Sequence, residues 1–229
     1  MKLISADLSP YSAKVRMQIY AMGLTDIDFD LPAEVLIGKL SEISPIGRIP
    51  VLQTDSGTIP ESEVIAEYLD DMYPDKSIVG DTPQKRAEVR LISRIADIYL
   101  MNNIFMALAQ LDPSTRVDAV VDLLMKQVAR GMGALEQHIG EGDYAIGDTL
   151  TRADCTLVPA LYMCEYIVPR FGVDNPIVAT KKVATYWQKI QKHELTAKVM
   201  AEMARGMQAR MDGSEKKMIE EAVAAARAE

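Results

Sequence analysis

The run Ser44-Pro45-Ile46-Gly47-Arg48-Ile49-Pro50-Val51-Leu52, followed by Glu61-Ser62-Glu63-Val64-Ile65-Ala66-Glu67-Tyr68-Leu69, constrains the fold more than any other stretch of this 229-residue chain. Proline cannot donate to a strand ladder, so Pro50 must stand at the entry of a short apolar strand. Asp55-Ser56-Gly57 is a tight turn, and Thr58-Ile59 returns beside the strand it left. Ser62 to Met72 then reads as an amphipathic helix with Val64, Ile65, Tyr68, Leu69 and Met72 on its buried face. Strand, hairpin and helix in this order form one edge of an α/β layer.

The residues upstream complete that layer. Lys2-Leu3-Ile4-Ser5-Ala6 is a strand. Ser9-Pro10 opens a helix, because serine is a favoured N-cap and proline a favoured first helical residue. Val15, Ile19 and Met22 share one face of it, and Gly23 ends it. Ile27, Phe29 and Leu31 alternate with acidic residues, the period of a half-buried strand. A short helix follows over Glu34–Glu42. The resulting order, β-α-β-α-β-β-α, mixes a parallel crossover with a hairpin.

Tyr73 to Thr82 is a linker, and beyond it no strand pattern appears. Long helical periodicity runs over residues 83–110, is broken at Asp112-Pro113-Ser114, and resumes over 115–139. Thr151-Arg152-Ala153-Asp154 has the form of a capping box opening a further helix, with Pro159 inside it. Two more helices fit 177–192 and 194–210. Ser214 to Glu229 is rich in Ala, Glu and Lys, helix-prone with a thin apolar face. The expected organisation is an α/β domain over residues 1–76, an all-helical domain over 83–210 and an extension over 211–229.

Charge and cysteine content exclude several functions. The net charge of -8 argues against nucleic-acid binding, which normally needs a basic face. Cys155 and Cys164 fall in one helix, roughly 13 Å apart in rise, beyond the reach of a disulfide. His138 and His193, the two histidines, are not spaced to join them at a metal. Free thiols fit a reducing compartment. With no basic-then-apolar leader and no run of about 18 apolar residues, the expectation is a cytoplasmic protein away from membranes.

Three groups of residues can carry chemistry. The Ser9 hydroxyl lies at the positive end of a helix dipole, where it caps the helix and is able to hold an anion. A hydroxyl donating to a ligand thiolate contributes about 1.5–3 kcal/mol. Tyr11 and Ser12 are rival donors in the same turn, Ser12 having the better claim to a capping role. Pro50 is also explained as a plain strand entry, and spacing alone gives no reason for a cis bond before it. With the chain turned away from the ladder there, Ile49 offers its N–H and C=O to an extended peptide. Glu61-Ser62 at a helix N-terminus suits an amino-acid head group, serine for the carboxylate and Glu61 for the ammonium. Lys39 and Arg48 are the cations near enough in sequence to meet a second carboxylate. Tyr99, Asn103 and Met106 belong first to a helical core, and some of them are placed to line an apolar pocket.

Taken together, Ser9-Pro10-Tyr11-Ser12-Ala13-Lys14-Val15-Arg16, Ser44-Pro45 through Leu52, Glu61-Ser62 with Ile65 and Tyr68-Leu69, and Thr151–Asp154 resemble the cytosolic glutathione transferases over residues 1–210. The resemblance is to serine-type members, zeta-, omega- or tau-like. It implies a thioredoxin-like N-terminal domain, an all-helical C-terminal domain and a homodimer. It implies a cis Ile49-Pro50 bond with the Ile49 backbone on the cysteinyl part of glutathione. Glu61 and Ser62 would then hold the γ-glutamyl group, Lys39 and Arg48 the glycine end, and Ser9 the thiolate, with Tyr11 beside it. The implied activity is attack of glutathione on an apolar electrophile, without a metal. A regulatory protein of the same fold is one alternative. A glutathione-dependent isomerase, or an ether- or halide-cleaving enzyme of aromatic catabolism, is another.

Overall fold

The computed structural model describes residues 1–228 and divides them into two compact units, Met1–Ser77 with Lys198 onward, and Ile78–Ala197. The first unit begins β1 (Lys2–Ile4), α1 (Pro10–Ala21), β2 (Asp28–Asp30), α2 (Ala33–Leu36), α3 (Leu40–Ile43), β3 (Val51–Thr54), β4 (Gly57–Pro60) and α4 (Ser62–Met72). Its sheet has the order β2-β1-β3-β4. The α1 crossover makes β1 and β2 parallel, whereas β3 runs antiparallel to both β1 and β4. This is the thioredoxin-like layer expected of residues 1–76.

Leu3, Ile4, Val51 and Leu52 from the sheet, Val15 and Ile19 from α1, and Ile65 and Leu69 from α4 form its core. Val64 and Met72, expected on the buried face of α4, are instead half exposed. The residues that face inward are Ser62, Ile65, Ala66, Leu69 and Asp70, so the buried stripe is rotated by about one position.

Helix α1 departs further from a one-sided reading. It buries Ser12, Lys14, Arg16 and Gln18 along with its apolar residues. Charges enter such a position only with partners. Lys14 pairs with Glu63, and the Gln18 amide donates to the Ala66 carbonyl at 2.9 Å, both on α4. Arg16 pairs with Glu202 at 2.8 Å. These partners come from far along the chain, which is why helical periodicity alone gave too few buried residues.

The second unit is helical: α5 (Pro83–Ile95), α6 (Asn102–Ala107), α7 (Asp118–His138), α8 (Arg152–Tyr166) and α9 (Lys182–Ile190). Residues 83–110 form one continuous helical run, but Ala96–Met101 widens into a π-helical turn. The Asn103 amide donates to two carbonyls of this turn, Ile98 at 2.8 Å and Tyr99 at 3.0 Å. Among the described residues, Pro83–Gln110 is the helix whose length and composition would suffice to cross a membrane, a property that core helices of soluble proteins share. More than half of its most apolar window is buried inside the protein.

Gly131 of α7 makes the π turn packable. A Cβ there would lie 2.6 Å from the Tyr99 Cβ and 2.9 Å from a Leu100 methyl. Gly131→Ala is expected to destabilise the protein by about 1–3 kcal/mol despite its better helix propensity, because the clash is with a backbone-anchored atom. The shift in urea midpoint measures it.

Helix α8 is buried along nearly its whole length and starts with the expected capping box. Asp154 accepts from the Thr151 N–H at 2.8 Å and from the Ala145 N–H at 2.8 Å. The Thr151 and Tyr186 hydroxyls add bonds of 3.0 and 3.1 Å. His193 takes a capping position, its ring accepting from the Leu195 N–H at 3.3 Å.

Helices α10 (Glu194–Met211) and α11 (Ser214–Ala228) complete the chain. From Lys198 on, these residues belong to the first unit, where α11 contacts α2.

Candidate functional site

The register of the sheet brings the three sequence groups to one end of it. Ile4, the last residue of β1, pairs with Val51, the first of β3. Val51 pairs in turn with Pro60, the last of β4. The segments that leave this end are therefore the β1–α1 loop with Ser9, the Ile49-Pro50 entry, and the Glu61-Ser62 start of α4. No two of these groups are neighbours in sequence. Antiparallel pairing of β3 with both its neighbours is what makes them neighbours in space.

Ser9 is the N-cap of α1, its Oγ accepting from the Ser12 N–H at 3.3 Å. A hydroxyl accepts and donates independently. The cap uses a lone pair and leaves the O–H proton for a ligand, so capping and anion binding are compatible in one side chain. Ser9 is half-buried and so is Tyr11. Ser12 differs from the reading that gave it a capping hydroxyl. Its backbone N–H is the capped group, while its Oγ is fully enclosed and makes no hydrogen bond.

The Ile49-Pro50 bond is cis, as the resemblance implied and spacing alone did not. The turn before it closes through the Gly47 N–H to the Ser44 carbonyl at 2.9 Å. Gly47 has φ 65°, a left-handed conformation that glycine adopts without cost. Pro50 is buried, Ile49 half-buried and Arg48 exposed. Lys39 is exposed as well, 3.8 Å from Glu42.

Glu61 was expected at this helix start, but not its conformation. Among the described residues it is the non-glycine residue with positive φ, at 69°, and its carboxylate makes no capping bond. Such backbone strain costs about 1–3 kcal/mol and is concentrated at binding sites. Ser62 follows as the first residue of α4 and is 7% exposed. Glu61→Gly should relieve the strain, leaving the thermal midpoint equal or higher, while removing the carboxylate from the sheet end. A thermal melt checks the first half of this expectation, and ligand affinity, below, the second.

In the second unit, Tyr99 is half-buried, Asn103 buried and Met106 exposed, with Asn103 committed to the π turn. No group of His, Cys, Asp and Glu able to hold a metal is present among the described residues. Cys155 and Cys164 are buried and in no disulfide, and burial pushes the Cys164 thiol up to about 12. A thiol so placed has no nucleophilic role.

The sequence reading passed over Lys14, Arg16, Glu63 and Glu202, which brace α1 from both sides. The signal was local: two cations, Lys14 and Arg16, alternate with apolar residues in the helix that Ser9 opens. A charge in that position needs a partner.

The family Glutathione S-transferase, N-terminal domain matches residues 3–77, and Glutathione S-transferase, C-terminal domain matches residues 95–194. The chain is 31% identical to a maleylacetoacetate isomerase of Pseudomonas aeruginosa, covering 76% of this chain and 84% of that protein. It is 28% identical to a stringent starvation protein A homolog of Coxiella burnetii, covering 85% and 88%. A glutathione S-transferase of Methylobacterium radiotolerans, solved with glutathione sulfonate, has a TM-score of 0.74 at 20% identity over 87% of this chain and 93% of its own. That last likeness shows a shared fold.

Proposed function

Because the chain belongs to the glutathione S-transferase family, we propose that the sheet end described above holds reduced glutathione and that Ser9 stabilises its thiolate for attack on an apolar electrophile. The observation that carries this reading is the register, which brings the segments carrying Ser9, cis Ile49-Pro50 and Glu61-Ser62 out at one end of the sheet. Each supplies what one part of the tripeptide needs. The Ile49 backbone pairs with the cysteinyl residue. The strained Glu61 presents a carboxylate to the γ-glutamyl ammonium, and the α4 N-terminus with Ser62 receives the γ-glutamyl carboxylate. Lys39 and Arg48 serve the glycine carboxylate, with Tyr11 beside Ser9. Tyr99 and Met106 are assigned to the apolar part of the electrophile, whereas Asn103, expected beside them, is spent on the carbonyls of the π turn.

The chemistry follows from one charge. Ser9 donates its O–H to the thiolate, and α1 adds its N-terminal partial charge. A lowered thiol pKa raises the nucleophilic fraction at neutral pH without any covalent enzyme intermediate. The sulfur then forms a bond to the electrophilic carbon and a leaving group such as halide departs.

The relationship to maleylacetoacetate isomerases favours a second reading on the same site. There the thiolate adds to one carbon of a conjugated double bond, the remaining single bond rotates, and the sulfur is expelled. Both readings place the protein in a reducing cytoplasm as a homodimer, which sedimentation equilibrium tests.

Retention on immobilised glutathione, followed by turnover of chlorodinitrobenzene and of a cis-enedione acid, separates the cases. Retention with either turnover is the expected result. Absence of both would support a non-catalytic protein of the same fold. Glu61→Gly should weaken glutathione binding about tenfold, the worth of one charge-assisted contact, as titration calorimetry would read.

A further inference from the structure

The loop that carries Ser9 is braced by the C-terminal part of α10, and we propose that Glu202 and Gly206 are positioning residues that set the aim of the Ser9 hydroxyl. This rests on the reading that Ser9 holds the thiolate. The brace itself is visible without that reading.

Residues 5–9 join β1 to α1 with no regular structure of their own. They close on themselves through the Ser9 N–H to the Ala6 carbonyl at 3.2 Å. Ser5 is tied to β2 by its N–H to the Asp30 carbonyl at 2.8 Å, and further support comes from Arg16, which is 3% exposed. Its Nη1 donates to the Ser5 Oγ at 2.7 Å and to the Ala6 carbonyl at 2.9 Å, and its Nη2 to the Asp7 carbonyl at 3.1 Å. Three consecutive loop residues therefore hang on one guanidinium. The fourth side of that group is fixed by Glu202, its Oε2 accepting from Nε at 2.8 Å. Glu202 is 8% exposed, and its other oxygen accepts from the Tyr20 hydroxyl at 2.8 Å. Tyr20 is held in turn by Lys198, whose ammonium stands 3.4 Å from the ring centre.

Helix α10 also touches the loop directly. Arg205 pairs with Asp7 at 2.8 Å. A Cβ at Gly206 would lie 2.6 Å from the Leu8 backbone nitrogen, 2.9 Å from the Leu8 Cβ and 3.0 Å from the Asp7 Cβ. The helix backbone thus abuts the residue immediately before Ser9. All of these residues belong to the first unit.

A planar guanidinium in a fixed fork transmits position, because its five donors cannot be re-aimed one at a time. Loss of the Glu202 charge leaves Arg16 free to turn, and the three loop carbonyl and hydroxyl acceptors move with it. A Cβ at Gly206 acts from the other side by pushing Leu8. Displacements well below 1 Å are enough to spoil a catalytic hydrogen bond.

A brace that only held α10 in place would affect stability and leave Ser9 alone. The distinguishing quantity is coupling to Ser9. The full-length protein, Ser9→Ala, Gly206→Ala, Ser9→Ala/Gly206→Ala and Glu202→Gln are compared by the pH profile of kcat/KM with glutathione and chlorodinitrobenzene, and by the urea midpoint. Gly206→Ala and Glu202→Gln are each expected to lower kcat/KM about three- to tenfold near neutral pH and to raise the apparent thiol pKa by about half to one unit. The KM for glutathione should change less than about twofold. In the Ser9→Ala background Gly206→Ala should have no further effect. Equal losses in both backgrounds, or loss of stability with an unchanged pH profile, would overturn the proposal while leaving the role of Ser9 standing. An unchanged Ser9→Ala enzyme would remove both. Should Gly206→Ala fail to fold, the near-isosteric Glu202→Gln, alone and with Ser9→Ala, decides the same question.

Discussion

Ser9→Ala is expected to lower kcat/KM for glutathione conjugation about ten- to a hundredfold, the worth of one charge-assisted hydrogen bond to a thiolate. The loss should appear as a shift of the pH–rate profile upward by about one to two units, so that activity partly recovers at high pH. The sign follows from the role. A donor that stabilises the anion lowers the pKa of the thiol, and its removal lets the pKa rise back toward that of the free peptide. The same hydroxyl caps α1 through the Ser12 N–H at 3.3 Å. Its loss therefore also costs about 0.5–1 kcal/mol of stability. A large rate effect beside a small stability effect identifies the site role. The reverse balance, intact activity with lowered stability, would make Ser9 a cap alone and direct attention to Tyr11.

Asp154→Ala carries the largest expected effect on stability, about 3–4 kcal/mol by the shift in denaturant midpoint. Four donors converge on this one carboxyl: the Ala145 and Thr151 N–H groups and the Thr151 and Tyr186 hydroxyls. All lie in the second unit. Alanine leaves two buried backbone N–H groups without acceptors, each at about 1–3 kcal/mol. Burial itself raises the carboxyl pKa, and the four hydrogen bonds oppose that rise. Asp154→Asn is instructive beside it, because its NH2 replaces one carboxylate oxygen and then faces a backbone N–H that can only donate. Both variants that fold should keep the pH profile of the wild type, since Asp154 holds the α8 N-terminus and not the thiol.

The parts of the fold that sequence revealed are those set by local chemistry. Ser9-Pro10 and Thr151–Asp154 mark helix starts because their side chains satisfy N–H groups within three residues. The hairpin at Asp55-Ser56-Gly57 and the change from mixed to purely helical texture after Tyr73 are local in the same sense. What was not legible depends on partners far away. The burial of Lys14 and Arg16 follows from Glu63 and Glu202, 49 and 186 residues on. The π turn over Ala96–Met101 leaves the apolar period of the long helix almost unchanged, and only Asn103 and Gly131 register it. The site shows the same division. Its residue types were readable, but the positive φ of Glu61 is imposed by the β4–α4 junction, and no glutamate announces it. Exposure of Val64 and Met72 on α4 was likewise undetermined, since residues one turn apart alternate between core and surface near the edge of an apolar stripe.

Titration of the enzyme-bound glutathione thiol, followed by its ultraviolet thiolate absorbance, tests the central claim most directly. The account predicts ionisation about one to two pH units below that of free glutathione, with the shift lost in Ser9→Ala. Ionisation of the bound thiol at the same pH as in free solution, or no binding at all, would contradict it.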